Sequence, residues 1–324
     1  MRLEIMSKAE RGFMLAADDR PLPVRAAALQ FPTDATLDDA VETVIASALA
    51  HFVANWPALA ETNHRESIHQ MRVALRRLHT ALVFFDRFLP CAEFGIFRAE
   101  AKRVASALAP ARNWDAFREL VEDGPLTPYA QEGESFEALL TTVEERRLAA
   151  YAIAQEVIDD PSTTRFVLNL RAFLARRAWR SALSGAELLR LTEPARLFAS
   201  ETLERLHKRA LKRGRKLSQK VPEERHKVRI ALKHIRYAAE FFSFFFGGVR
   251  PYIRAVAQLQ YGLGAFNDAA SATYLLRDVE AAAGPQAAKA TGIVLGWCGR
   301  GMVITDDNLR KAWKSFTRAR PFWR

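Results

Sequence analysis

The sequence predicts an all-α fold built from two related halves, and three observations carry that prediction. First, Glu66-Ser67-Ile68-His69-Gln70-Met71-Arg72-Val73-Ala74-Leu75-Arg76-Arg77-Leu78-His79 is echoed by Glu223-Glu224-Arg225-His226-Lys227-Val228-Arg229-Ile230-Ala231-Leu232-Lys233-His234-Ile235-Arg236, at a constant offset of 157 residues. Second, hydrophobic residues make up 49% of the 324 positions and charged ones 26%, with Gly and Pro few, the profile of a mostly helical globular chain. Third, no run of alternating β-branched residues bounded by turns stands out as a strand. The repeat period is several times the roughly 20–50 residues of solenoid units. Each half is therefore long enough to form a helical bundle of its own, and a pseudo-two-fold axis would relate the pair.

The elements follow in order. Residues 1–32 read as an extension ended by the breakers Pro21, Pro23 and Pro32. Thr36 is the expected N-cap of an amphipathic helix to Trp56, with Asp38 and Asp39 in its first turn, where the helix dipole favours them. The first repeat helix is expected from Arg65 to Leu89, stopping at Pro90. A third helix starts near Glu93, is interrupted near Pro110 and continues to Glu122; a fourth spans Ser135 to Ile158. Residues 33–160 form the first half and 161–324 the second, with helices expected at 162–184, 195–220, 223–246, 250–282, 286–299 and 306–318. Gly and Pro clusters separate them, and Pro222 gives the second repeat helix a sharp start.

Each repeat helix carries a row of cations beside an apolar stripe. At about 100° per residue, Arg72, Arg76 and His79 fall within roughly 80° of His69. Met71, Ala74, Leu75, Leu78, Leu82 and Phe85 gather on an adjoining arc. In the second copy His226, Arg229, Lys233 and Arg236 lie beside Val228, Ala231, Leu232, Ile235, Ala239 and Phe242. No acidic residue follows the first cationic run until Asp86, so pairing one turn apart cannot neutralise it. A further basic run, Arg205 to Lys220, places Lys208, Lys212, Arg215 and Lys216 near one helix edge.

A net charge of +11 favours an anionic partner, whether nucleic acid, acidic lipid or polyphosphate. Cys91 and Cys298 sit in no paired or metal-binding pattern, so neither a disulfide framework nor a metal or other cofactor is expected, and a reducing cytosol fits. The most apolar tracts, Phe241–Phe246 and Gly292–Cys298, fall far short of the roughly 20 residues of a membrane span. Neither a membrane protein nor a secreted one is expected.

With the duplicated helix in hand, the chain resembles the CHAD family, the conserved histidine α-helical domain. Leu108-Ala109-Pro110-Ala111-Arg112-Asn113-Trp114-Asp115-Ala116-Phe117 is similar to one family segment, and Leu259-Gln260-Tyr261-Gly262-Leu263-Gly264-Ala265-Phe266-Asn267-Asp268 to its counterpart. Ser7-Lys8-Ala9-Glu10-Arg11-Gly12-Phe13 resembles the joining segment of proteins in which a CYTH-type triphosphatase domain precedes CHAD. The Glu-x-Glu-x-Lys signature of that domain is missing, so its chemistry is not carried over. The resemblance implies two four-helix bundles around a basic central pore or groove that binds inorganic polyphosphate, and recruitment to polyphosphate granules in some members. It carries a binding role to His69, Arg72, Arg76, Arg77, His226, Arg229, Lys233 and Arg236, followed by Lys102 and Arg112; Lys212 and Lys216 join from the basic run. His79 and His234 stand where the family usually has Arg and Lys, which makes affinity weaker or more pH-dependent than in relatives.

Polyphosphate has no bases to stack on, so it calls for Arg and Lys rather than aromatics. A single-strand or RNA binder would interleave aromatics with its basic groove. Here Phe84, Phe85, Phe88 and Phe241–Phe246 fall on or after the apolar arcs. An enzyme acting on phosphate chains needs carboxylates to hold Mg²⁺; Asp115 and Asp268 read instead as braces at helix junctions. The expectation is a cytoplasmic polyphosphate-binding module without catalysis. RNA binding and docking of an acidic protein partner are its alternatives.

Overall fold

The computed structural model describes residues 7–17, 20–124, 126–131, 133–217 and 221–324, and the side chains within these except those at 10–11, 222, 265–268 and 301–306. Asn267, Asp268 and Lys220 thus lie outside the described side chains. Every named element is helical: α1 (Lys8–Ala16), α2 (Leu37–Ala54), α3 (Trp56–Thr62), α4 (Arg65–Asp86), α5 (Ala92–Ala107), α6 (Ala109–Glu122), α7 (Thr127–Ala130), α8 (Glu134–Asp159), α9 (Pro161–Ala175), α10 (Gly185–Leu191), α11 (Ala195–Gly214), α12 (Pro222–Phe242), α13 (Val249–Ala283) and α14 (Ala288–Arg318). No strand occurs among the described residues; the only extended pairing there is an isolated bridge between Thr36 and Pro194. The chain folds as two compact units, Met1–Arg112 with Leu148–Phe198, and Asn113–Arg147 with Ala199–Arg324. The division falls inside α6, α8 and α11.

In the first unit α2 packs on α4, α4 on α5, and α9 on both α2 and α5. Thr36 caps α2 as its spacing predicts: its hydroxyl accepts from the Asp39 amide while Asp39 returns a bond to the Thr36 amide, satisfying two donors that a helix start leaves open. The core of α2 is Val41, Val44, Ile45, Leu49 and Phe52. Over Leu37–Thr62 the chain is long and apolar enough, by length and composition, to cross a membrane, and most of that window is buried inside the fold. The apolar tracts singled out from sequence do not include it, because polar residues dilute it.

Asp38 organises the far side of α2. It is buried and accepts from Trp179 Nε1 at 2.8 Å and from the guanidinium groups of Arg177 and Arg180. Burial pushes its carboxyl up, but the bonds from Arg180, Trp179 and Arg177 outweigh that and hold it below the usual range. Arg177 also reaches Asp39 at 2.9 Å and Glu42 at 2.5 Å. It sits at φ 46°, so α9 ends in a left-handed residue that turns the chain back onto α2. The helix expected over 162–184 therefore stops early and is followed by a 3-10 turn, Ala178–Ala182.

The amino-terminal extension is not a loose linker. Asn55 accepts from the Val24 amide and donates to the Val24 carbonyl, both at 2.9 Å, and His51 Nε2 lies 3.0 Å from that carbonyl. A buried amide side chain thus reads the backbone of an extended segment as a neighbouring strand would. Leu29, Phe31 and Ala35 are buried behind it.

In the second unit α12 packs on α13 and α13 on α14. Helix α14 runs unbroken through Gly299-Arg300-Gly301, where the sequence predicts a break. Packing along α13 supplies what glycine propensity lacks. Trp323 closes the unit: its ring meets Tyr252 edge-on at 4.9 Å and His207 at 5.6 Å, while its Nε1 donates to Glu204 at 3.0 Å. Arg324 adds two bonds to the same carboxylate at 3.0 and 2.9 Å. Those bonds, Arg324 first, bring Glu204 down to about 2.

Candidate polyanion-binding surfaces

Both repeat helices bury the predicted stripe. On α4, Met71, Ala74, Leu75, Leu78, Leu82 and Phe85 are buried, as are Val228, Ala231, Leu232, Ile235, Ala239 and Phe242 on α12. The cations beside those stripes behave differently in the two units.

In the first unit His69, Arg72, Arg76 and His79 are all half-buried along one side of α4. Arg72 donates through Nη1 to the Ala105 carbonyl in the last turn of α5, where a cation complements the exposed carbonyls of a helix end. Burial, with the charges of Arg76 and Arg112 close by, holds the Arg72 guanidinium down to about 10. It stays cationic at neutral pH, at a cost to the fold. Among the described residues neither Arg72 nor Arg76 has a carboxylate partner, and the Arg76 Nε is buried without a hydrogen bond. The structure therefore brings Arg72, Arg76 and Arg112 together as a like-charged cluster. Lys102 stands exposed on α5.

Arg77 is placed elsewhere. It is buried and its charge acts on His51, which burial and Arg77 together hold below the usual histidine range. At about 100° per residue it sits roughly 140° around α4 from Arg72, a separation the family pattern hides and the helical angle reveals.

In the second unit Arg229 and Lys233 are half-buried while His226, Arg236, Lys212 and Lys216 are exposed. Arg236 is engaged by Glu240 at 2.8 Å and by Gln260 at 3.1 Å. Lys208 reaches Glu204 at 3.4 Å. This row is wetter and partly paired, so each of its charges is worth less than those of the first unit.

Asp115 behaves as a brace. It is buried on α6 and faces Arg147 of α8 at 3.4 Å, while Glu144 takes two bonds from Arg147 and a further one from Arg118. Among the described residues no three His, Cys, Asp or Glu side chains gather in the way a metal ion requires. Sequence reasoning missed Arg98, which stands one turn before Lys102 on α5 and acts on His79 with it. The spacing of four between Arg98 and Lys102 was the available signal.

A family model described as the CHAD domain matches residues 43–277. The fold is similar to the crystal structure of the CHAD domain from the plant Ricinus communis, with a TM-score of 0.78, 28% sequence identity, and coverage of 92% of this chain and 98% of that one. It is also similar to PptA from Streptomyces chartreusis, with a TM-score of 0.64 over 86% of this chain and 100% of that one; at 16% identity this likeness concerns the fold alone. No curated protein matches the chain.

Proposed function

From the premise that this chain belongs to the CHAD domain family, we propose that it binds inorganic polyphosphate through the cationic sides of α4 and α12, without catalysis. CHAD domains bind polyphosphate-like polyanions. The observation that carries the reading to this chain is the cluster of Arg72, Arg76 and Arg112. These are half-buried guanidinium groups, and the first two have no carboxylate partner among the described residues. Like charges gathered and partly desolvated in this way weaken the fold, and an incoming chain of phosphates relieves them. Arg offers paired hydrogen bonds to phosphate oxygens; exposed Lys102, Lys212 and Lys216 offer mobile point charges. In the cell the module would collect in the cytoplasm on polyphosphate granules and work beside a CYTH-type triphosphatase.

Thermal melting with long-chain polyphosphate tests the reading. Binding to the folded state raises the midpoint by mass action, by about 2.7 kcal/mol of stability at a hundred times Kd. The expected result is a rise that added salt diminishes, a smaller rise with RNA of equal charge, and no phosphate release with Mg²⁺. An unchanged midpoint across polyphosphate lengths overturns the binding reading, and phosphate release overturns the non-catalytic one.

A further inference from the structure

Helices α4 and α5 are joined by a short connection and run antiparallel, because Arg72 meets Ala105 while Asp86, further along α4, meets Arg98 at 2.9 Å. That register sets His79, half-buried at the end of the α4 cation row, against Arg98 and Lys102 of α5. We propose that His79, Arg98 and Lys102 form a further phosphate subsite that is complete only when His79 carries a proton, so that polyphosphate binding takes up a proton there. The proposal rests on the polyphosphate reading and names a regulation of the same cationic surface.

The charged groups of α5, α4, α2 and α9 bear on this. From α5 His79 faces two cations, while the acids of that helix are engaged by other groups, Glu93 by Cys91 and Glu100 by Arg103, and Asp86 at the end of α4 is held by Arg98. Along α4 itself the preceding members of its row are Arg76 and Arg72. The ionisable groups of α2 are occupied elsewhere: Asp38, Asp39 and Glu42 by Arg177, and His51 beside Gln70 and Arg77. Helix α9 meets α5 on another face, through Phe97 against Phe173 and Arg103 donating to Thr163. Burial first, then the charges of Arg98 and Lys102, hold the imidazole below the usual histidine value. It is thus neutral at neutral pH when nothing is bound. A phosphate chain seated between Arg98 and Lys102 reverses the sign of that environment. The imidazolium then becomes a donor to phosphate oxygen instead of a third repelled charge. By linkage, whatever binds with the proton binds more tightly as pH falls.

The test is a titration with long-chain polyphosphate at pH 6 and pH 8, using the full chain and the variants H79Q and H79R, each first shown to melt cooperatively. Wild type is expected to bind about three- to tenfold more tightly at pH 6 than H79Q's own pH dependence accounts for. H79R, permanently charged, should lose that extra dependence and bind at pH 8 as tightly as wild type does at pH 6. D86N, which frees Arg98, should tighten binding at both pH values. Equal pH dependence in wild type and H79Q overturns the subsite while leaving the polyphosphate reading in place. An H79R variant no tighter than wild type at pH 8 does the same. Failure of wild type to bind at either pH overturns both.

Discussion

Replacing Arg72 with methionine separates a residue kept for a ligand from one kept for the fold. The guanidinium is held well below the usual arginine value, at about 10, by burial and by the charges of Arg76 and Arg112. At about 1.36 kcal/mol per unit, holding that charge at neutral pH costs the folded state about 3 kcal/mol. Against this stands the bond to the Ala105 carbonyl, worth about 1.5–3 kcal/mol for a charged donor. Methionine keeps most of the apolar stem and fills the same channel. The balance leaves R72M between unchanged and about 1–2 kcal/mol more stable, or up to several degrees at about 2–4 °C per kcal/mol for a unit of this size. Polyphosphate affinity should fall by roughly ten- to a hundredfold, the worth of one charge-assisted bond. Chemical denaturation and a binding titration on the same preparation read both quantities. A variant that loses more than about 2 kcal/mol of stability shows that the Ala105 bond outweighs the desolvation. That outcome refutes the reasoning that Arg72 is kept for an anion.

Two other predictions concern the fold. His51, His79 and His207 are each held below the usual histidine value, burial being the largest cause in all three. The unfolded chain therefore takes up more protons below about pH 6.5, so stability should be full above that range and fall as pH drops through it, seen as a declining melting midpoint. Removing Asp38 leaves Arg177, Arg180 and the Trp179 Nε1 without their shared acceptor, and D38A should lose about 3–5 kcal/mol in urea denaturation. D38A melting like wild type would show that Asp39 and Glu42 suffice to hold the turn after α9.

The parts legible in the sequence are those governed by local spacing. Thr36 as N-cap, Pro90 just beyond α4, and all twelve residues of the two apolar arcs followed from helical period and capping chemistry. The parts that were not legible depend on partners distant in the chain. Nothing near Val24 says that Asn55 will bind its backbone, and Pro21 and Pro23 make that stretch read as a linker. Gly299 and Gly301 read as breakers because propensity is local, whereas the packing of α14 on α13 is not. In the site, the family pattern drew Arg77 into the binding set although the fold buries it beside His51. The spacing of Arg98 and Lys102 was legible in the sequence, but their placement against His79 depends on the register of α4 and α5.

Half-buried arginines on the repeat helices, Arg72 and Arg76 of α4 and Arg229 of α12, are proposed to select a phosphate chain. Titration with long-chain polyphosphate at two salt concentrations, with RNA of equal charge as competitor, tests this most directly when wild type is run beside the R72E/R229E double reversal. The expected result is tight binding that salt weakens, that RNA does not displace and that the double reversal abolishes while the protein still melts cooperatively. Equal displacement by RNA, or a double reversal that binds like wild type, would contradict it and leave only a general polyanion surface.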